Sequence, residues 1–223
     1  MSFSLALVIF DCDGVLIDSE GLAHQALVET LRDYGIDMTL EDALNRYMGV
    51  SSVDETADIE MRYNVKMPAD YLDKKGMRRH ALYEKALKAT PGIFDMIDAL
   101  PWKKCVASST KPEGLRHSLG LTGLWGKLAP HIFSASQVER GKPAPDLFLF
   151  AAAQMNTAPE HCLVIEDSPA GVQAARAAHM RVWGFTGGSH CPPGHGDRLL
   201  QDGAEKVFAR MDDLARALLP EAA

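Results

Sequence analysis

Leu5-Ala6-Leu7-Val8-Ile9-Phe10 runs straight into Asp11-Cys12-Asp13-Gly14-Val15-Leu16-Ile17-Asp18-Ser19, and the reading of this stretch decides the fold. An apolar run this continuous, rich in branched residues and closed by acids and a glycine, predicts a strand buried on both faces, as in a parallel sheet covered by helices. Alternation along an extended chain puts Asp11 and Asp13 on one side and turns Cys12 away. Two carboxylates at one spot repel. The pair therefore calls for a cation, a shared proton, or a substrate that uses the two groups differently.

Working outward, the pattern changes to helical at Glu20 and stays so to about Lys88. Leu22, Ala26, Leu27, Leu31 and Tyr34 recur at helical spacing before Gly35; Thr39 with Asp42, and Ser52 with Glu55, mark two further helix starts; Pro68 suits the first turn of a fourth. That fourth helix carries Lys74, Lys75, Arg78, Arg79 and Lys85, read as a solvated basic face. After Gly92 short apolar segments alternate with helical ones. Strands are expected at 104–107, 131–133, 163–165, 181–185 and 206–208, with helices at 93–100, 112–119, 146–155, 169–178 and 211–219. Such alternation implies right-handed crossovers and an α/β fold: a Rossmann-like parallel sheet with helices on both faces. Seventy helical residues are too many for one crossover, so residues 19–88 read as an inserted all-helical cap over the carboxyl ends of the strands, and 1–18 with 89–223 as the core domain. Ligands bind at that edge of open α/β sheets.

Composition narrows the function classes. With 223 residues, 47% of them hydrophobic, the chain can bury a sizeable core, and a net charge of −7 opposes attraction to nucleic acid. No nucleic-acid partner is expected. The first ten residues lack a basic leader and a cleavage site, and the opening apolar run is too short to span a bilayer, so an unprocessed cytoplasmic protein with no membrane partner, by default a monomer, is expected. Cys12, Cys105, Cys162 and Cys191 form no C-x-x-C pair and read as free thiols.

Three further clusters fall at predicted strand ends. Val106-Ala107-Ser108-Ser109-Thr110-Lys111-Pro112 leads from a strand through hydroxyls into a helix start, a natural anion site, though taken alone it also reads as an ordinary serine cap. Arg140-Gly141-Lys142-Pro143-Ala144-Pro145 holds a lysine in stiff backbone; alone it is equally a surface turn. Leu163-Val164-Ile165-Glu166-Asp167-Ser168-Pro169 ends a strand in two acids, of which helix capping accounts for one. Together the clusters supply a nucleophile, a proton carrier, oxygen ligands for a hard cation and donors for phosphate oxygens, the needs of phosphoryl transfer. Gly187-Gly188-Ser189-His190-Cys191-Pro192-Pro193-Gly194-His195 resembles a metal site only superficially; its proline and glycine density reads as a flexible surface loop, or instead as a border of the pocket.

On these motifs the chain resembles the haloacid dehalogenase-like hydrolase superfamily, in the helical-cap branch that holds sugar-phosphate phosphatases and β-phosphoglucomutase. Asp11-Cys12-Asp13-Gly14-Val15, Ser108 in Ala107-Ser108-Ser109, Lys142 in Gly141-Lys142-Pro143, and Glu166-Asp167-Ser168 match the four family motifs in order. The resemblance implies that Asp11 attacks phosphorus to give an aspartyl phosphate, and that Asp13 acts first as acid and then as base. It implies that Ser108, Ser109 and Lys142 bind the phosphoryl group, and that Asp11, Asp13 through its carbonyl, Glu166 and Asp167 hold Mg2+. The expected activity is Mg2+-dependent hydrolysis of a small phosphorylated metabolite, a sugar or sugar-acid monophosphate. A phosphomutase is the alternative, weakened because Gly49-Val50-Ser51 is followed by Ser52 where the mutase has arginine, and because Ala23, with His24 adjacent, stands where it has a cap histidine. A phospho-acceptor signalling module is a more distant alternative, in which an insert of this size has no use.

Overall fold

The computed structural model describes residues 4–219; residues 1–3, part of the stretch read for a leader, and 220–223 lie outside the described residues. The described residues form two compact units, one made of residues 4–18 with 88–219 and the other of residues 19–87.

The first unit is built on a six-stranded parallel sheet. Its strands are β1 (Leu7–Phe10), β2 (Lys103–Ser108), β3 (Ile132–Ser134), β4 (Cys162–Glu166), β5 (Arg181–Phe185) and β6 (Lys206–Phe208), in the order β3-β2-β1-β4-β5-β6. β1 is central, and all four of its residues are fully buried, which is why its sequence is apolar without alternation. Leu7 and Ile9 pack in one cluster with Cys105, Val164, Leu147, Phe148, Ala151, Val172 and Ala175. The alternate residues Val8, Phe10, Val106 and Ile165 are equally buried, so helices cover both faces. Strand order reverses between β1 and β4, and this makes the crevice at their carboxyl ends the topological switch point.

The second unit holds α1 (Glu20–Arg32), α2 (Leu40–Tyr47), α3 (Ser52–Tyr63) and α4 (Tyr71–Ala86). The first unit holds α5 (Ile93–Ala99), α6 (Pro112–Leu121), α7 (Trp125–Leu128), α8 (Asp146–Gln154), α9 (Pro169–Ala177), α10 (His195–Asp202) and α11 (Met211–Leu218). Within it the chain departs and returns along paired backbone: Asp18 N–H donates to Lys88 O at 3.0 Å and Thr90 N–H to Leu16 O at 2.9 Å.

The second unit departs from the sequence reading in three places. α3 is capped by Ser51, whose hydroxyl accepts the Asp54 N–H at 3.1 Å; the Ser52–Glu55 pattern fails because Glu55 is buried against Lys75 instead. α4 starts at Tyr71, after a turn in which Tyr71 N–H reaches Pro68 O. Its basic residues are not a uniformly solvated face. Lys75 pairs with the buried Glu55 of α3, and Arg78 with Asp33 and Glu29 of the α1 end. Leu27, Leu31, Ala43, Tyr47, Ile59 and Tyr71 form this unit's own core.

Candidate active site

The polar centre lies at the carboxyl ends of β1, β2 and β4. The ladder carries Asp11 past the end of β1, its N–H donating to Ile165 O at 2.9 Å. Glu166 ends β4, and Asp167 follows it. Lys142, from the stiff segment before α8, reaches into this group. Its Nζ donates to Asp11 Oδ1 at 2.5 Å, Glu166 Oε1 at 2.6 Å and Ala107 O at 3.0 Å. Asp11, Glu166 and Asp167 each offer an oxygen within 4.8 Å of the others.

Local sequence makes room for this arrangement. Ser168 caps α9 by accepting the Gly171 N–H, while its own N–H and hydroxyl donate to Glu166 Oε2 at 2.9 Å. A Cβ at Gly171 would fall on the Glu166 carboxylate, so glycine lets the acid sit beneath the helix start. Gly14 adopts φ +81°, and a side chain there would collide with Asp167.

Charge is unbalanced here. One ammonium serves Asp11 and Glu166, with Asp167 beside them and Asp13 two residues from Asp11. Burial raises the Asp11 carboxyl well above the ordinary range; Lys142 opposes this, and Glu166, Asp167 and Asp13 add to it. Burial and then Glu166 raise Asp167 likewise. Lys142 loses by burial, but Asp11 and Glu166 more than restore it and hold its pKa above the usual lysine value. The surplus of carboxylate, all of it hard oxygen donor, fits a divalent cation of the Mg2+ kind. Asp11, Glu166 and Asp167 could hold such an ion; the Asp13 side chain lies outside that group.

Asp13 turns instead to the β2 end. Thr110 Oγ1 donates to its Oδ2 at 2.7 Å, and Ser108 Oγ stands 3.4 Å from the same oxygen. Ser108 is buried and accepts the Thr110 N–H at 3.0 Å, whereas Ser109 is exposed. Ser134 of β3 donates to Thr110 O at 2.8 Å, which fixes the backbone of this turn. Cys12 faces the other way, toward Ser118 of α6, and burial drives its thiol pKa up. Cys105 and Cys162 are also free, buried and shifted upward by burial, and so stay protonated.

Two contributors carry no clear mark in the sequence. Thr110 is one hydroxyl among three neighbours, and only the fold singles it out. The second is the segment from Gly187 to His195: Gly187, Ser189, Pro192, Pro193 and Gly194 are exposed, as a surface loop requires, but His190 and His195 turn inward and are 3% and 4% exposed. His190 Nε2 lies 2.9 Å from Asp167 Oδ2, and His195 Nε2 donates to Asp167 O at 2.6 Å. Burial holds the His195 pKa below its ordinary value, in keeping with a neutral ring.

A parallel sheet with acids, a hydroxyl and a lysine converging at its switch point defines an enzyme of the doubly wound α/β class. Residues 8–185 match the model of the haloacid dehalogenase-like hydrolases, and the chain belongs to that family. It is 30% identical over 189 residues to 6-phosphogluconate phosphatase of Escherichia coli K12, an alignment covering 83% of this chain and 85% of the relative. Among solved structures, a conserved haloacid dehalogenase-like protein of unknown function from Agrobacterium tumefaciens C58 superposes with a TM-score of 0.87 at 38% identity, covering 96% of this chain and 98% of the other. A family hydrolase from Deinococcus radiodurans R1, solved with bound phosphate and sodium, gives 0.79 at 32% identity, covering 97% and 96%. Among the described residues no helix is long and apolar enough to cross a membrane.

Proposed function

We propose that the protein is a Mg2+-dependent phosphatase that hydrolyses a small phosphorylated metabolite, a sugar or sugar-acid monophosphate, through an aspartyl phosphate on Asp11. One observation carries the reading: Lys142 bridges Asp11 and Glu166 in a buried, acid-rich centre, while Asp13 is held apart by Thr110. Two carboxyls two residues apart thus have different surroundings, which suits them to different roles. The similarity to 6-phosphogluconate phosphatase supports the substrate class.

Asp11 attacks phosphorus as the ester P–O bond breaks, and the departing alkoxide takes the proton of the Asp13 carboxyl. Asp13, now a carboxylate, removes a proton from a water that attacks the phosphoaspartate. Inorganic phosphate leaves, and Asp11 returns as a carboxylate with Asp13 reprotonated. Lys142 and the Ser108 hydroxyl, with Ser109 beside it, supply donors to the phosphoryl oxygens as negative charge builds. Asp11, Glu166, Asp167 and the Asp13 carbonyl would hold Mg2+, which when bound offsets charge among the acids and on the phosphoryl group. The inserted helices of residues 19–88 serve as a cap that admits substrate and excludes water.

The test is phosphate release from a panel of phosphorylated sugars and sugar acids, with Mg2+ and with chelator. Release should need the metal and should vanish in Asp11→Asn; undiminished turnover by that variant overturns the mechanism.

A further inference from the structure

The segment from Gly187 to His195 takes no part in the chemistry above, yet it is tied to Asp167 of the polar centre and to Asp18 of the opening motif. His190 places Nε2 2.9 Å from Asp167 Oδ2, and its side chain is fully buried. His195 donates to the carbonyl of the same residue at 2.6 Å. Ser189 holds Asp18, where the chain departs toward the second unit, with its N–H at 3.0 Å and its hydroxyl at 2.8 Å from Oδ1. Two glycines make the slot for the His190 ring. A Cβ at Gly14 would meet Asp167 Oδ2 and His190 Cε1, and a Cβ at Gly188 would meet His190 Cε1 and Nδ1. The opening motif and this late loop are thus shaped around one imidazole.

A carboxylate accepts from the ring nitrogen that bears the proton, so the Asp167 contact assigns the proton to Nε2. With Oδ2 engaged by His190 and the carbonyl by His195, Asp167 cannot turn. We infer that His190 is a positioning residue for the cation site: by holding the Asp167 carboxylate it sets the geometry in which Asp11, Glu166 and Asp167 receive a divalent cation. The Cys191 thiol, 3.4 Å from His190 Nε2, borders the same hydrogen bond. Hydrogen-bond partners behind a metal ligand commonly carry about 10–100-fold of metal affinity.

This inference rests on the reading of the acidic group as a Mg2+ site, and the test separates the two. Thermal melts of the whole protein across a series of Mg2+ concentrations give an apparent affinity for the metal alone, without substrate. Asp167→Asn is the control: if it keeps the Mg2+ response of the wild type, the metal site itself has been misassigned. If it loses the response, His190 is tested by His190→Gln, which keeps a donor near the same place, and His190→Leu, which removes it. The expected result is an affinity weakened by about 10–100-fold in the leucine variant and restored to within a few-fold in the glutamine variant, with kcat recovering in excess Mg2+. Equal affinity in His190→Leu, or equal losses in both variants, overturns the proposal. If neither variant folds, nitrogen-15 histidine spectra of the wild type decide. The His190 Nε2–H resonance should shift on adding Mg2+, and an unmoved resonance at saturating metal refutes the role.

Discussion

Each unit of this protein buries a lysine against an acid, and the two sites differ in what surrounds the pair. In the helical unit Lys75 meets Glu55 with side-chain exposures of 13% and 9%, and Tyr71 lies beneath the ammonium at 5.9 Å. One cation meets one anion, and the pair is complete. In the sheet unit Lys142 meets Asp11 and Glu166, with Asp167 inside the same group and Asp13 close by. A matched pair offsets its own desolvation and ties two helices together, whereas a surplus of buried acid leaves a site unsatisfied until a cation enters. Burial of charge alone does not mark function; the imbalance does.

The sharpest way to break this contrast is to remove the anion on each side. Asp11→Asn should abolish phosphate release, while Glu55→Gln should leave the rate within a few-fold; comparable losses in the two would end the distinction. The matched pair should show itself in stability. Lys75→Met leaves Glu55 buried and unpaired at a cost of about 3 kcal/mol, and adding Glu55→Leu should recover most of it. Urea unfolding of the single and double variants reads this directly, and a double variant no better than the single one would contradict it. A smaller effect tests the separation of Asp13 from Asp11. Thr110→Val removes a hydrogen bond to the Asp13 carboxyl, roughly 0.5–1.5 kcal/mol, so kcat should fall about two- to tenfold with KM little changed, and Thr110→Ser should restore it.

The smallest effect concerns the surplus itself. Asp167 has its pKa raised, chiefly by burial and then by Glu166. A folded pKa above the unfolded one means that the folded state holds the proton more tightly. Its stabilising share is therefore present below the unfolded value and fades as pH rises through the folded value. Asp167→Asn removes that loss, so without metal at neutral pH its Tm should rise by about 2–4 °C per kcal/mol recovered, and the gain should disappear in acid. A Tm unchanged or lowered at neutral pH would show that the surplus carries no strain.

Much of the fold is written plainly in the chain, because buried parallel strands cannot hide: Leu7–Phe10, Leu163–Ile165 and Val182–Phe185 are apolar without alternation and stop abruptly at their polar ends. The acids that follow β1 and β4 stand out for the same reason, as charge directly after a buried run. What sequence conceals is pairing across the fold. Glu55 reads as a capping residue until Lys75, twenty residues on, claims it. Thr110 carries no motif of its own beside Ser108 and Ser109, and only the turn after β2 aims its hydroxyl at Asp13. Gly187 to His195 misleads most, because proline and glycine report an irregular backbone and say nothing of its depth; of its glycines, Gly188 is the one that leaves room for the His190 ring.

Asp11 as the covalent nucleophile is the step on which the proposed hydrolysis depends. Borohydride reduction of acid-quenched enzyme converts a phosphorylated aspartate to homoserine, which peptide mass spectrometry locates. After mixing with Mg2+ and a turned-over sugar phosphate, the product should appear at position 11, and it should be absent when either is omitted. Steady phosphate release with no modification at Asp11, or with modification at another acid, would contradict the account.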